Sequence, residues 1–164
     1  MKKSKKAIIV GASSGIGKAL ARELVKNNYS VGITARREEL LLKLQKEYPE
    51  QIHYATSDCT KSNSLEDLKK LTTELGGLDL FIISAGRGAL NPKLDFDLED
   101  KINKLNVIAF TSLVNWGMFF FEKQGFGHLA NISSVASQRG GGLAPAYHAS
   151  KAYQASYLEG MAQR

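Results

Sequence analysis

Ala7-Ile8-Ile9-Val10-Gly11-Ala12-Ser13-Ser14-Gly15-Ile16-Gly17 decides the fold, because an apolar run of strand length enters three glycines and leaves as the helical pattern KALARELVK. A strand that turns sharply into a helix N-terminus is the opening of a parallel βαβ unit. Such a junction binds anions, since the first amides of the helix have no internal partners and the helix dipole is positive there. Gly11 permits the sharp turn, Gly15 lets the backbone approach a pyrophosphate, and Gly17 allows close packing of helix on strand. Ser13, Ser14 and Ile16 complete the expected phosphate-binding surface. Glycines serving only a tight turn do not account for three of them with two small hydroxyl residues between.

Outward from this turn, apolar runs alternate with stretches of helical period, the pattern of a parallel sheet covered on both faces. Strands are expected at Ala7 to Val10, Ser30 to Thr34, Ile52 to Thr56, Leu80 to Ile83 and His128 to Ile132. Helices are expected at Gly15 to Asn27, Glu38 to Glu47, Ser64 to Leu75 and Leu98 to Lys123, with a last one starting near Tyr147. Asn27-Asn28, Pro49 and Gly76-Gly77 supply the stops. Right-handed crossovers then make a doubly wound α/β sheet, with residues 1–164 as a single domain. Trp116, Met118, Phe119, Phe120 and Phe121 give the long helix more apolar surface than one sheet face needs. Core packing explains them first, and a homodimer or homotetramer contact through this helix and the next explains them second.

Bulk properties narrow the classes of function. Of 164 residues, 22 are Lys or Arg and 16 Asp or Glu. Several of the cations crowd the opening MKKSKK, where a solvated, frayed terminus accounts for them without a nucleic-acid partner. The lone cysteine, Cys59, excludes an internal disulfide and fits a reducing, cytoplasmic compartment. His53, His128 and His148 stand in separate segments without ligand spacing, so no metal is expected. The start imitates a signal peptide, but glycines and serines interrupt the apolar run, and strand, turn and helix explain every residue. The stretch from Phe110 to Phe121 is too short to span a bilayer, so no membrane partner is expected.

At the end of the second strand, dinucleotide sites usually carry an acidic residue for the adenosine ribose. Ala35 stands there, followed by Arg36 and Arg37. A guanidinium pairs with the 2′-phosphate of NADP where a carboxylate would repel it, so NADP(H) is expected over NAD(H). Arg36 is the candidate, and Arg37 reads as a solvated charge at a helix start.

Tyr147-His148-Ala149-Ser150-Lys151 places a phenol and an ammonium four residues apart, on one helix face. A nearby cation favours phenolate, which suits proton exchange with an alkoxide.

Turn and pair together resemble the short-chain dehydrogenase/reductase family, in the branch with a G-x-x-x-G-x-G turn and a Y-x-x-x-K pair. The resemblance extends through Asp58 after the third strand, Ser84-Ala85-Gly86 after the fourth, Asn106 in the long helix and Asn131-Ile132-Ser133-Ser134 after the fifth. It implies a Rossmann-type, three-layer α/β/α fold that stops short of its C-terminal strands. It implies that Tyr147 is the general acid/base, that Ser134 rather than Ser133 polarises the substrate carbonyl, and that Lys151 assists Tyr147 and binds the nicotinamide ribose. Asn106 would hold a water through which protons reach Lys151. Asp58 and Cys59 would contact adenine, and Ala85 and Gly86 would lie against the adenosine ribose. The family usually carries Asn where Ile83 and Ser84 stand, a departure that bears on a helix-to-strand hydrogen bond.

The activity so implied is NADPH-dependent interconversion of a small-molecule carbonyl and its alcohol. The rival from another class is a non-catalytic dinucleotide-binding module, redox-sensing or scaffolding, against which the four residues Asn106, Ser134, Tyr147 and Lys151 argue. An epimerase or dehydratase fits less well, since that branch resembles G-x-x-G-x-x-G. The loop SQRGGGLAP lines the expected substrate side, with Gln138, Arg139 and Leu143 in reach. Family members continue beyond the Tyr–Lys helix, and an uncovered fifth-strand edge would be a liability, so a polypeptide longer than Arg164 is expected.

Overall fold

Four successive residues of the first strand, Ala7, Ile8, Ile9 and Val10, are buried. Successive side chains of a strand point to opposite faces, so both faces of the sheet are covered here. In the computed structural model, which describes residues 4–164, five parallel strands run in the order β3-β2-β1-β4-β5. They are β1 (Lys5–Val10), β2 (Tyr29–Ala35), β3 (Ile52–Thr56), β4 (Leu80–Ile83) and β5 (His128–Asn131). The order reverses direction beside β1, with β2 on one side and β4 on the other, as in a doubly wound sheet.

The connecting helices are α1 (Gly15–Lys26), α2 (Glu38–Glu47) and α3 (Ser64–Leu75). They end where the stops were read. Asn28 takes φ 63° and Gly76 φ 69°, left-handed backbone that closes a helix and that Asn and Gly tolerate. Leu41, Leu44, Leu68 and Leu71 are buried.

The expected long helix differs in detail. It comprises α4 (Phe96–Asn103), a π-helical segment Lys104–Ala109 and α5 (Phe110–Gln124). The apolar run Phe110 to Phe121 is thus part of a helical stretch of 29 residues, Phe96–Gln124, long and apolar enough by length and composition to cross a membrane, with mean hydropathy 1.2. Part of its apolar surface serves the core. Gly117 faces Phe81 and Leu129 so closely that a Cβ would lie 2.7 Å from the Phe81 ring. Trp116 meets Phe81 edge to face at 5.0 Å, and Phe120 stacks on Trp116. Phe119 remains 70% exposed.

The chain divides into two units, one made of the residues up to Ala85 with Leu113–Asn131, the other of Gly86–Ser112 with Ile132–Arg164. The first contains the sheet. The second contains α4, the π-helical segment, a 3₁₀ turn Val135–Ser137 and α6 (Pro145–Ala162). Phe110 is buried there against Tyr153 and Tyr157.

The opening cations need a correction. Met1 to Lys3 lie outside the described residues, but Lys5 and Lys6 are not frayed, because they belong to β1. The Lys6 backbone is bonded twice to Asp79, its N–H donating to the side-chain Oδ2 at 2.7 Å and its carbonyl accepting from Asp79 N at 2.8 Å. Its ammonium reaches the Gly76 carbonyl that ends α3, a favourable place for a cation.

Candidate active site

In the first unit, the turn after β1 is pinned by backbone. Gly11 N and Ala12 N both donate to the Thr34 carbonyl, at 2.8 and 3.1 Å, and Ser84 N donates to the Val10 carbonyl at 2.9 Å. Gly11 adopts φ 92°, and a Cβ there would sit 2.6 Å from Ala85 N, so only glycine satisfies both the turn and the approach. A Cβ on Gly17 would strike the Gly11 carbonyl oxygen and lie 3.1 Å from Ser84 Oγ. Ala85 and Ser84 therefore lie against the turn.

The start of α1 fits a pyrophosphate. Ser14, its N-cap, makes no side-chain capping bond, and no acidic residue occupies the first turn. The open N–H groups and the dipole remain available to an anion. Nothing lies within 4 Å of where a Cβ on Gly15 would be, and Ile16 is 58% exposed.

Arg37 is exposed at the start of α2, as read, and also reaches the turn. Its Nη2 donates to Ser13 Oγ and Ser14 Oγ, each at 2.8 Å, which brings a guanidinium onto the phosphate turn. Arg36 is exposed and follows β2, near enough to Asp58 for its charge to act on that carboxylate. Desolvation opposes ionisation of Asp58. The Thr60 hydroxyl and amide, at 2.7 and 3.0 Å, with Arg36 and Lys61, nonetheless hold it below the usual carboxylate range. Burial, reinforced by the charge of Asp58, pushes the Cys59 thiol up to about 11.

In the second unit, α6 carries Tyr147 and Lys151 one turn apart. Lys151 is 5% exposed. Its Nζ donates to the Ile132 carbonyl at 2.9 Å and to Gln154 Oε1 at 3.0 Å, and it lies 3.6 Å from where a Cβ on Gly86 would be. Desolvation lowers its pKa, since burial disfavours the charged form. Tyr147 is half-buried, with its ring against Gly88.

Asn106 lies in the π-helical segment and is wholly buried. Its Oδ1 accepts from Arg87 N at 2.9 Å, and its Nδ2 donates to the Arg87 carbonyl at 2.8 Å and to Ser150 Oγ at 2.9 Å. Gln154 Nε2 donates to its backbone carbonyl at 2.8 Å. Ser134 is half-buried and Ser133 exposed. Ser134 Oγ accepts from Ala136 N at 3.1 Å, capping the 3₁₀ turn that packs on α6.

The structure thus joins Asn106, Lys151 and Gly86 in one cluster and puts Ala85 against Gly11. Within the first unit, Arg36, Asp58 and Cys59 form a group beyond the ends of β2 and β3. Sequence reading missed Gln154, Ser150, the Glu99–Asn91 pair and the contact of Arg37 with Ser13 and Ser14. One signal was available for Gln154, which sits three residues after Lys151 and so on the same helix face.

Comparison with known proteins identifies the family. The family model described as short chain dehydrogenase matches residues 5–164. A diacetyl reductase, (S)-acetoin forming, from Staphylococcus epidermidis is 30% identical over 90% of this chain and 60% of its own length. An oxidoreductase of Myxococcus xanthus is 31% identical over 94% of this chain and 64% of its own. Among solved structures, a short-chain dehydrogenase from Streptomyces avermitilis superposes with a TM-score of 0.91 at 27% identity, covering 99% of this chain and 61% of that one. ElxO with NADP bound gives 0.85 at 26% identity, covering 95% and 65%. The chain spans about 60% of the length of the first of these curated relatives.

Proposed function

Because the chain belongs to the short chain dehydrogenase family, we propose that it serves an NADPH-dependent oxidoreductase interconverting a small-molecule carbonyl and its alcohol, with Tyr147 as general acid/base. The observation that carries this reading is the buried Lys151 ammonium one turn along α6 from Tyr147, held by neutral acceptors only among its described hydrogen bonds. A desolvated cation that is not neutralised by a carboxylate acts strongly on its surroundings.

A reduced nicotinamide, when bound, would supply the hydride for the carbonyl carbon. The uncapped amides at the start of α1, with Gly11 to Gly17, hold the pyrophosphate, and Arg36 and Arg37 attract the 2′-phosphate. Asp58 and Cys59 would receive the adenine, and Ala85 and Gly86 the adenosine ribose. Ser134 Oγ donates to the carbonyl oxygen and stabilises its growing negative charge. Tyr147 Oη gives that oxygen its proton, and the phenolate left behind is stabilised by Lys151. In the oxidative direction Tyr147 takes the proton back. ElxO, seen with NADP bound, and the diacetyl reductase support the cofactor and the reaction class.

The test follows consumption of NADPH against a panel of small ketones, diketones and aldehydes, with dissociation constants for NADPH and NADH measured at equal ionic strength. Turnover of a carbonyl and tighter binding of NADPH are expected. Arg36→Ala should weaken NADPH roughly tenfold or more while leaving NADH little changed, the worth of a hydrogen-bonded charge pair. Equal or reversed preference removes the cofactor assignment, and absence of turnover across the panel removes the reaction.

A further inference from the structure

Gln154 is 0% exposed, and the mechanism above leaves it without a role. Burying a primary amide costs free energy unless its donors and acceptor are met. Here they are met by groups of the site. We propose that Gln154 is a positioning residue for the Lys151 ammonium, its Oε1 accepting from Lys151 Nζ at 3.0 Å while its Nε2 donates to the Asn106 carbonyl at 2.8 Å.

The geometry fixes which way the amide points. The Asn106 carbonyl only accepts, so it must face Nε2, and the oxygen is thereby turned to Lys151. The anchor is itself held. Asn106 is wholly buried and bonded through its own side chain to both backbone groups of Arg87 and to Ser150 Oγ. It also sits in a π-helical segment, a distortion of the helix that concentrates at functional sites. The chain Asn106, Gln154, Lys151 therefore directs the ammonium from two rigid elements, the π-helical segment and α6.

The residue type matters as much as the contact. An amide oxygen supports the ammonium by hydrogen bonding and carries no charge to cancel it. A carboxylate at the same place would neutralise the field that Lys151 exerts on Tyr147 and would turn an oxygen toward the Asn106 carbonyl. An apolar side chain would leave the ammonium with the Ile132 carbonyl and less support in a dry site. Among the titratable groups on the surrounding elements are Tyr147 and Tyr153 on α6, Glu99 on α4, Arg87 in the loop that brackets Asn106, and Lys104 at the start of the π-helical segment. Of all these surroundings, burial is what lowers the pKa of Lys151.

The inference rests on the proposed function in one respect, that the charge of Lys151 serves Tyr147. Its test is therefore a titration that does not need turnover. In the full chain carrying isotope-labelled lysine, the Lys151 side-chain resonance, identified by its loss in Lys151→Arg, is followed with pH in the parent, Gln154→Met and Gln154→Glu. The account expects Lys151 to lose its proton at lower pH in Gln154→Met and at higher pH in Gln154→Glu. The pH profile of kcat should move in the same sense, with kcat for Gln154→Met reduced roughly tenfold or more. A Lys151 titration that coincides with the parent in both folded variants overturns the proposal. If Gln154→Met does not fold, the isosteric Gln154→Glu decides alone, an upward shift supporting the proposal and none overturning it. If the parent turns over no carbonyl, the function fails while the titration still answers for Gln154.

Discussion

At Cys59 the local chemistry is legible in burial and charge together. Its thiol is pushed from the ordinary 9.0 to about 11 by desolvation and by neighbouring Asp58. Since only thiolate reacts, two pH units less acidity leaves about a hundredfold less of the reactive form near neutral pH. Cys59 should thus be alkylated by iodoacetamide about a hundredfold more slowly than a free thiol at the same pH, with the rate still climbing through pH 10. Intact-mass kinetics check this, and a rate that levels off near pH 9 would contradict it. The neighbouring arginines show where residue-scale reading stops. Sequence order favoured Arg36 and set Arg37 aside. The fold instead carries Arg37 across to Ser13 and Ser14, a contact between segments about two dozen residues apart that no local pattern announces.

Among the elements, α6 begins without a cap of its own. Its N-cap is Ala144, which has no side-chain acceptor, and Pro145 follows. Glu99 on α4 supplies what is missing. Its Oε2 accepts from Ala146 N at 3.1 Å, and its Oε1 accepts from Asn91 Nδ2 at 2.6 Å. Asn91, 2% exposed, in turn binds the backbone of Asp95. A carboxylate at a helix N-terminus also interacts well with the dipole. Glu99→Ala should therefore cost about 1–3 kcal/mol, the penalty of leaving a buried donor unmet. Urea unfolding measures it, and a midpoint equal to that of the parent would show that α6 does not depend on Glu99.

The bounds of α2 and α3 follow from period, charge and stop residues, and the structure has them at the expected positions. The π-helical segment was not legible in the same way. Lys104 to Ala109 has an ordinary helical composition, and the extra residue per turn is accommodated by tertiary partners of Asn106 on α6 and in the 86–88 loop. Gln154 escaped for the same reason. Spacing put it on the Tyr147–Lys151 face, but only packing buries it there.

For the whole molecule, the order of elements was written in the alternation of apolar runs and helical periods, and the parallel sheet follows it strand for strand. The phosphate turn belongs to the unit that holds the sheet, whereas Asn106, Ser134, Tyr147 and Lys151 all belong to the other. The resemblance to the family singled out these residues as candidates. The side-chain bonds that organise them join residues far apart in sequence, such as Asn106 and Ser150.

Steady-state reduction of a carbonyl by Tyr147→Phe, beside its NADPH dissociation constant, decides whether Tyr147 handles the proton. Removing one hydroxyl takes away the proposed proton donor and leaves the ring and the phosphate turn in place. The account predicts turnover lost by a factor of about a hundred to ten thousand, the usual worth of a general acid, with NADPH binding nearly unchanged. Turnover close to that of the parent would contradict it.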